Sequence, residues 1–146
     1  MASPGVNSSS PSPPAGDPVI HDPGYLGFFV CFNRGEFYEA HDMLEPLWLA
    51  RRRRPDADFY KGLIQLAGAF VHLQKHSARQ PRLQPAASLL RLARRHLTSY
   101  APTHARCDVA TALGIIREWE DALATGTAGD NPFDTRPAPQ LTPPQP

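Results

Sequence analysis

Apolar side chains recur at three- and four-residue spacing through most of the chain, and no stretch shows convincing two-residue alternation of a strand. The pattern predicts an all-α fold: about five helices in a small antiparallel helical bundle. Asp22 followed by Pro23 is an N-cap with proline at the first helical position. It opens a helix through Tyr25, Leu26, Phe28, Phe29, Val30, Cys31 and Phe32 to Arg34, and Gly35 ends it. Apolar residues lie nearly all round this helix, which predicts a central, well-covered element. A second helix is expected over Glu36–Arg53, with Phe37, Leu44 and Trp48 on the buried stripe. Pro46 removes a backbone donor in its middle, so a kink is expected there rather than an outright break. After a turn at Pro55–Asp56, with Asp56 as N-cap, a third helix is expected over Ala57–Lys75, burying Phe59, Leu63, Leu66, Phe70 and Leu73. Ser77–Gln84 reads as a loop. Pro85 opens a fourth helix whose apolar face is Ala86, Leu89, Leu90, Ala93, Leu97 and Tyr100, and Pro102 stops it. Asp108 caps a fifth, with Val109, Ala112, Leu113, Ile116, Trp119 and Leu123 inward, ending near Gly126.

Composition confines this bundle to the middle of the 146 residues. Residues 1–18 and 126–146 are rich in Pro, Ser and Gly and hold most of the 17 prolines. Such stretches bury too little apolar surface to offset chain entropy, so both ends are expected to be disordered tails flanking one domain over 19–125. A net charge of +1 argues against a nucleic-acid partner. Arg51–Arg54 reads as a solvated helix end that the helix dipole favours. The N-terminal stretch lacks the apolar core of a secretion signal, and no apolar run approaches the roughly 20 residues of a membrane span. A cytoplasmic protein with no membrane partner is expected, and so apolar a bundle is compatible with a homodimer. Cys31 and Cys107 offer neither metal spacing nor a disulfide framework; Cys31, inside an apolar run, reads as a small buried thiol. His76, His96 and His104 read as surface residues.

The chemistry concentrates between Asn33 and Trp48. On a helix, His41, Glu45 and Trp48 share one side, because neighbours on a face recur at three and four residues. Gln65 and His72, seven residues apart, share a face of the third helix. Reflecting helices two and three about the turn near Pro55 sets Glu45 level with Gln65 and Tyr38 level with His72. His72 then lies within about one helical turn, roughly 5 Å, of His41. This register predicts a pocket of His41, Glu45, Gln65 and His72, with Tyr38, Asp42 and Trp48 beside it.

The run Asn33-Arg34-Gly35-Glu36-Phe37-Tyr38-Glu39-Ala40-His41-Asp42-Met43-Leu44-Glu45-Pro46-Leu47-Trp48 resembles the opening motif of the DUF309 family, small all-helical proteins of unknown function. His41-x-x-x-Glu45-x-x-Trp48 matches that family's HxxxExxW signature. Phe59-Tyr60-Lys61-Gly62-Leu63-Ile64-Gln65-Leu66-Ala67 is similar to its Gly-Leu-Ile-Gln block, and His72 falls where a histidine often follows. The resemblance covers about Tyr25–Tyr100, and Lys75–Pro85 departs from it in being longer, basic and proline-containing. It implies metal binding through His41 and Glu45 but transfers no enzymatic activity. Three readings of the pocket follow. One is a divalent metal site for zinc, manganese or iron, with His41, Glu45 and His72 as ligands, the basis for a metal-dependent hydrolase. Another is acid–base chemistry without metal. The third is a non-enzymatic scaffold in which His41 donates to a buried Glu45, Gln65 satisfies the second oxygen, and the network sets helix register.

Overall fold

The computed structural model describes residues 18–127 and 129–145. Among the described residues five α-helices form: α1 (Pro23–Asn33), α2 (Phe37–Ala50), α3 (Ala57–Lys75), α4 (Leu83–Leu97) and α5 (Val109–Thr125). The all-α expectation holds. Local chemistry accounts for their ends. Asp22 Oδ1 accepts from the backbone N–H of Gly24 (2.7 Å) and Tyr25 (3.1 Å), satisfying two donors that the first turn of α1 leaves free. Gly35 follows the α1 C-cap at φ +77°, a left-handed conformation that glycine adopts without the Cβ penalty. Its N–H returns to Phe32 O and that of Glu36 to Cys31 O, turning the chain directly into α2. α2 continues unbroken through Pro46 and ends at Ala50, three residues short of the predicted Arg53. Asp56 makes no side-chain cap to α3. α4 begins at Leu83, two residues before Pro85, and passes into a 3-10 turn at Thr98–Tyr100. Asp108 caps α5 as expected, accepting from Thr111 N (2.9 Å) and Thr111 Oγ1 (2.7 Å).

The centre of the bundle is α3, not α1. Phe59, Tyr60, Leu63, Leu66, Ala67, Phe70 and Leu73 of α3 are all buried, and the helix packs against both α2 and α4. α1 buries Tyr25, Phe28, Phe29 and Phe32, whereas Leu26 and Val30 remain 40% and 50% exposed. An apolar run all round a helix therefore overstated its coverage: α1 lies at the side of the bundle. Rings carry the packing across elements. Phe37 of α2 stacks on Phe70 of α3 (centroids 5.1 Å), and Phe70 meets Trp119 of α5 edge-on (5.0 Å).

Two expectations fail outside the helices. Thr103–His104 (β1) pairs antiparallel with Cys107–Asp108 (β2), a hairpin too short to show alternation. Its turn residues Ala105 and Arg106 have φ of 47° and 58°, a conformation costly for non-glycine residues. The Tyr25 hydroxyl donates to Ala105 O (2.7 Å) and ties that turn to α1. The second correction concerns the C-terminal segment, which is not a free tail. Phe133 lies against Phe37, Phe70 and Trp119, and Leu141 is 3% exposed. Asn131 Nδ2 donates to Leu73 O (2.7 Å), answering a carbonyl that the last turn of α3 leaves free. The Asn33 side chain both donates to Leu141 O and accepts from Leu141 N, each at 2.7 Å. A few apolar anchors and amide clamps thus hold a proline-rich strap whose average composition predicts none. The corresponding expectation for residues 1–17 lies outside the described residues.

Candidate functional site

The antiparallel run of α2 and α3, closed on one side by α4, leaves a groove of about 310 Å³ lined by Tyr38, His41, Ile64, Gln65, Gly68, Val71, His72 and Leu89. His41 and His72 thus face one cavity, as do Tyr38 and Gln65. Its walls are mainly apolar, with a few polar side chains, the usual make-up of small-ligand sites.

Polar contacts within this region differ from the expected buried network. Glu45 is exposed, not buried beside His41. Gln65 is engaged elsewhere: His96 Nδ1 of α4 donates to its Oε1 at 2.7 Å. His41 Nδ1 instead lies 3.4 Å from Asp42 Oδ1, with side chains 34% and 56% exposed. Exposure explains the change, because a solvated carboxylate needs no imidazole to satisfy it. Tyr38, 55% exposed, stacks its ring on His41 (6.5 Å, 13°) and lies beneath Lys75 Nζ (5.3 Å). Trp48 is half-buried, with Lys61 Nζ 5.8 Å from its ring centre, and is not part of the groove lining.

His41, Asp42 and Glu45 bring one imidazole nitrogen and two carboxylate oxygens within 4.8 Å of one another. Nitrogen and oxygen donors suit zinc, manganese or iron. Bonds of about 2.0–2.2 Å set adjacent ligand atoms about 3–3.5 Å apart; His41 and Asp42 stand at 3.4 Å, whereas the trio as a whole spans up to 4.8 Å. Asp42, expected only beside the pocket, joins the donor set. His72 lies in the groove rather than in this trio.

His72 Nδ1 is sealed from solvent and has no hydrogen-bond partner. Burial, together with the positive charges of Arg82 and Lys75, holds its imidazole below the ordinary value. Neither cysteine supplies a nucleophile. Cys107 is buried, and burial, with Asp108 beside it, pushes its thiol up to about 12. Cys31 is half-buried rather than buried, and its thiol is also raised, by desolvation and then by Glu36 and Glu39.

A second polar cluster, unread in the sequence, sits at the other end of α3. Asp56 Oδ2 is approached by Arg51 Nη2 (3.2 Å), the Tyr60 hydroxyl (3.3 Å) and His104 Nε2 (3.7 Å). The His104 ring packs against Phe59 (4.7 Å) and Tyr100 (4.9 Å), so His104 is not a plain surface residue. Arg51 also lies over the Tyr60 ring, which removes it from the exposed run Arg52–Arg54. Among the described residues, no helix is long and apolar enough to cross a membrane.

A family described as "Domain of unknown function (DUF309)" matches residues 25–83. The match begins at Tyr25, takes in both motif blocks, and stops at Leu83, short of the expected Tyr100. No curated protein and no solved structure matches the chain.

Proposed function

We propose, from the premise that this chain belongs to the DUF309 family through residues 25–83, that it is a small helical binding protein holding a divalent ion on His41, Asp42 and Glu45. The observation that carries this reading is a trio of donor atoms within 4.8 Å, the one such group among the described residues, on a solvent-facing stretch of α2 bordering a groove. Zinc, manganese and iron fit the mixed nitrogen and oxygen set. Three protein ligands would leave coordination positions open to water and to a group in the groove. A metal-dependent hydrolase is the catalytic form of the same reading, in which the ion would acidify a bound water. The scaffold alternative draws less support, since Glu45 is solvated and the interhelical hydrogen bond is made by Gln65 and His96.

The test is metal uptake by chelator-treated protein, followed by calorimetry with manganese and zinc and by elemental analysis. The expected result is one equivalent bound by the wild type, lost in His41→Ala and Glu45→Gln, and retained in His72→Phe. Absence of saturable uptake, or uptake unchanged in His41→Ala, sinks the proposal.

A further inference from the structure

We infer that the groove between α2, α3 and α4 binds an apolar monocarboxylic acid, with its chain along Ile64, Val71 and Leu89 and its carboxylate at the His72 end. The inference does not depend on a metal at His41. Shape and chemistry set the class of ligand. A volume of about 310 Å³ takes roughly ten non-hydrogen atoms at the liquid-water share of about 30 Å³ each. Ile64, Val71 and Leu89 with the bare backbone of Gly68 make the walls apolar. A Cβ at Gly68 would come within 3.2 Å of Leu89 Cδ1, so the absence of a side chain keeps that part of the groove clear.

The two ends of the groove differ in charge, and that difference orients the ligand. Asp42 and Glu45 stand beside His41 and repel an anion from that end. Lys75, over Tyr38, and Arg82 place positive charge near His72. Arg82 Nε is itself buried without a hydrogen-bond partner. His72 supplies the donor. Its Nδ1 is sealed and unpartnered, so a proton there would be stranded, and the neutral ring carries its proton on Nε2. An Nε2–H donor under the field of two cations suits a carboxylate. An alcohol lacks the charge those cations attract, and an amine is repelled by it.

The test is a methyl-resolved NMR titration of the chelator-treated full chain with octanoate, which has about the volume required, beside 1-octanol and octylamine. Saturable octanoate binding is expected, with shifts at Ile64, Val71 and Leu89, about tenfold tighter than octanol, and no octylamine binding. His72→Phe, which keeps ring volume but removes the donor, should bring octanoate down to the octanol level. His72→Asn should keep most of the affinity. The surface variant Lys75→Met should also weaken octanoate without altering octanol, and it keeps the test decisive if His72→Phe fails to fold. Octanol binding as tightly as octanoate, shifts confined to another face, or no saturation at millimolar octanoate would each overturn the inference. Since no metal is present, failure here leaves the His41 reading untouched, and success does not require it.

Discussion

The two ends of α3 carry histidines and charges in opposite arrangements. At the N-terminal end Asp56 gathers Arg51, Tyr60 and His104 on one carboxylate oxygen, and Phe59 and Tyr100 pack on the histidine ring. The protein's own groups answer Oδ2 of that carboxylate, although Oδ1 is buried without a hydrogen-bond partner, and the cluster joins the α2–α3 turn to the β1–β2 hairpin. Toward the C-terminal end His72 lines an open groove with its Nδ1 sealed and unpartnered, and across the groove His41 stands among the exposed side chains of Tyr38, Asp42 and Glu45. Polar groups tied to one another hold elements together, whereas polar groups left available on a cavity wall are the ones that can meet a ligand. Sequence position alone does not separate the two, since each is a histidine among aromatics and acids.

Substitutions can break this contrast. The largest effect is expected for Asp56→Ala, which removes the carboxylate that Arg51, Tyr60 and His104 approach. Removing one partner of a buried ion pair costs about 3–5 kcal/mol. Because Arg51 and Asp56 keep 16% and 17% exposure, the lower end, about 3 kcal/mol, is expected in urea unfolding at neutral pH, with metal uptake unchanged. Next comes Asn33→Ala, which removes both hydrogen bonds to Leu141. A loss of about 1–2 kcal/mol is expected, together with faster hydrogen exchange at the Leu141 amide, while α2 keeps its protection. If the strap stays protected, the clamp reading of Asn33 is wrong.

A smaller effect is expected at the α5 cap. The backbone N–H of Thr111, and then its hydroxyl, hold the Asp108 carboxyl below its ordinary value of 3.8. A carboxyl lowered on folding contributes its stability in full above the unfolded value and loses it as pH falls through the folded one. Asp108→Ala should therefore cost about 1 kcal/mol at pH 7. The gap to wild type should close as the pH is lowered below about 4, measured by thermal unfolding across pH. Smallest of all, His41→Ala should change stability by less than about 0.5 kcal/mol, as for other substitutions on a solvated face, while abolishing metal uptake. A loss at His41 as large as that at Asp56 would erase the contrast and return His41 to a structural role.

The legible part of the site was the part lying on a single helix or across one short turn. Spacing placed His41 and Glu45 on one face of α2, and the turn at Pro55 set α2 against α3 closely enough to bring Tyr38, His41, Gln65 and His72 to one groove. His96 and Leu89 went unread as site residues because they come from α4, beyond a long loop across which no register can be inferred. Gln65 was consequently matched with Glu45 when its partner is His96. Trp48 was drawn toward the pocket by the motif, yet its ring is held under Lys61.

By itself the sequence determined the helices, their caps at Asp22 and Asp108, the glycine stop at Gly35, and the aromatic positions of α1 and α3. These are local matters: periodicity, a side-chain oxygen within reach of free N–H groups, a backbone angle that suits glycine. Tertiary structure alone decided which helix is central, which histidine is satisfied, and that a proline-rich segment is fastened by Asn33, Asn131, Phe133 and Leu141. Those outcomes depend on groups far apart in the chain, where burial and pairing are set by every neighbour at once rather than by any residue's own preference.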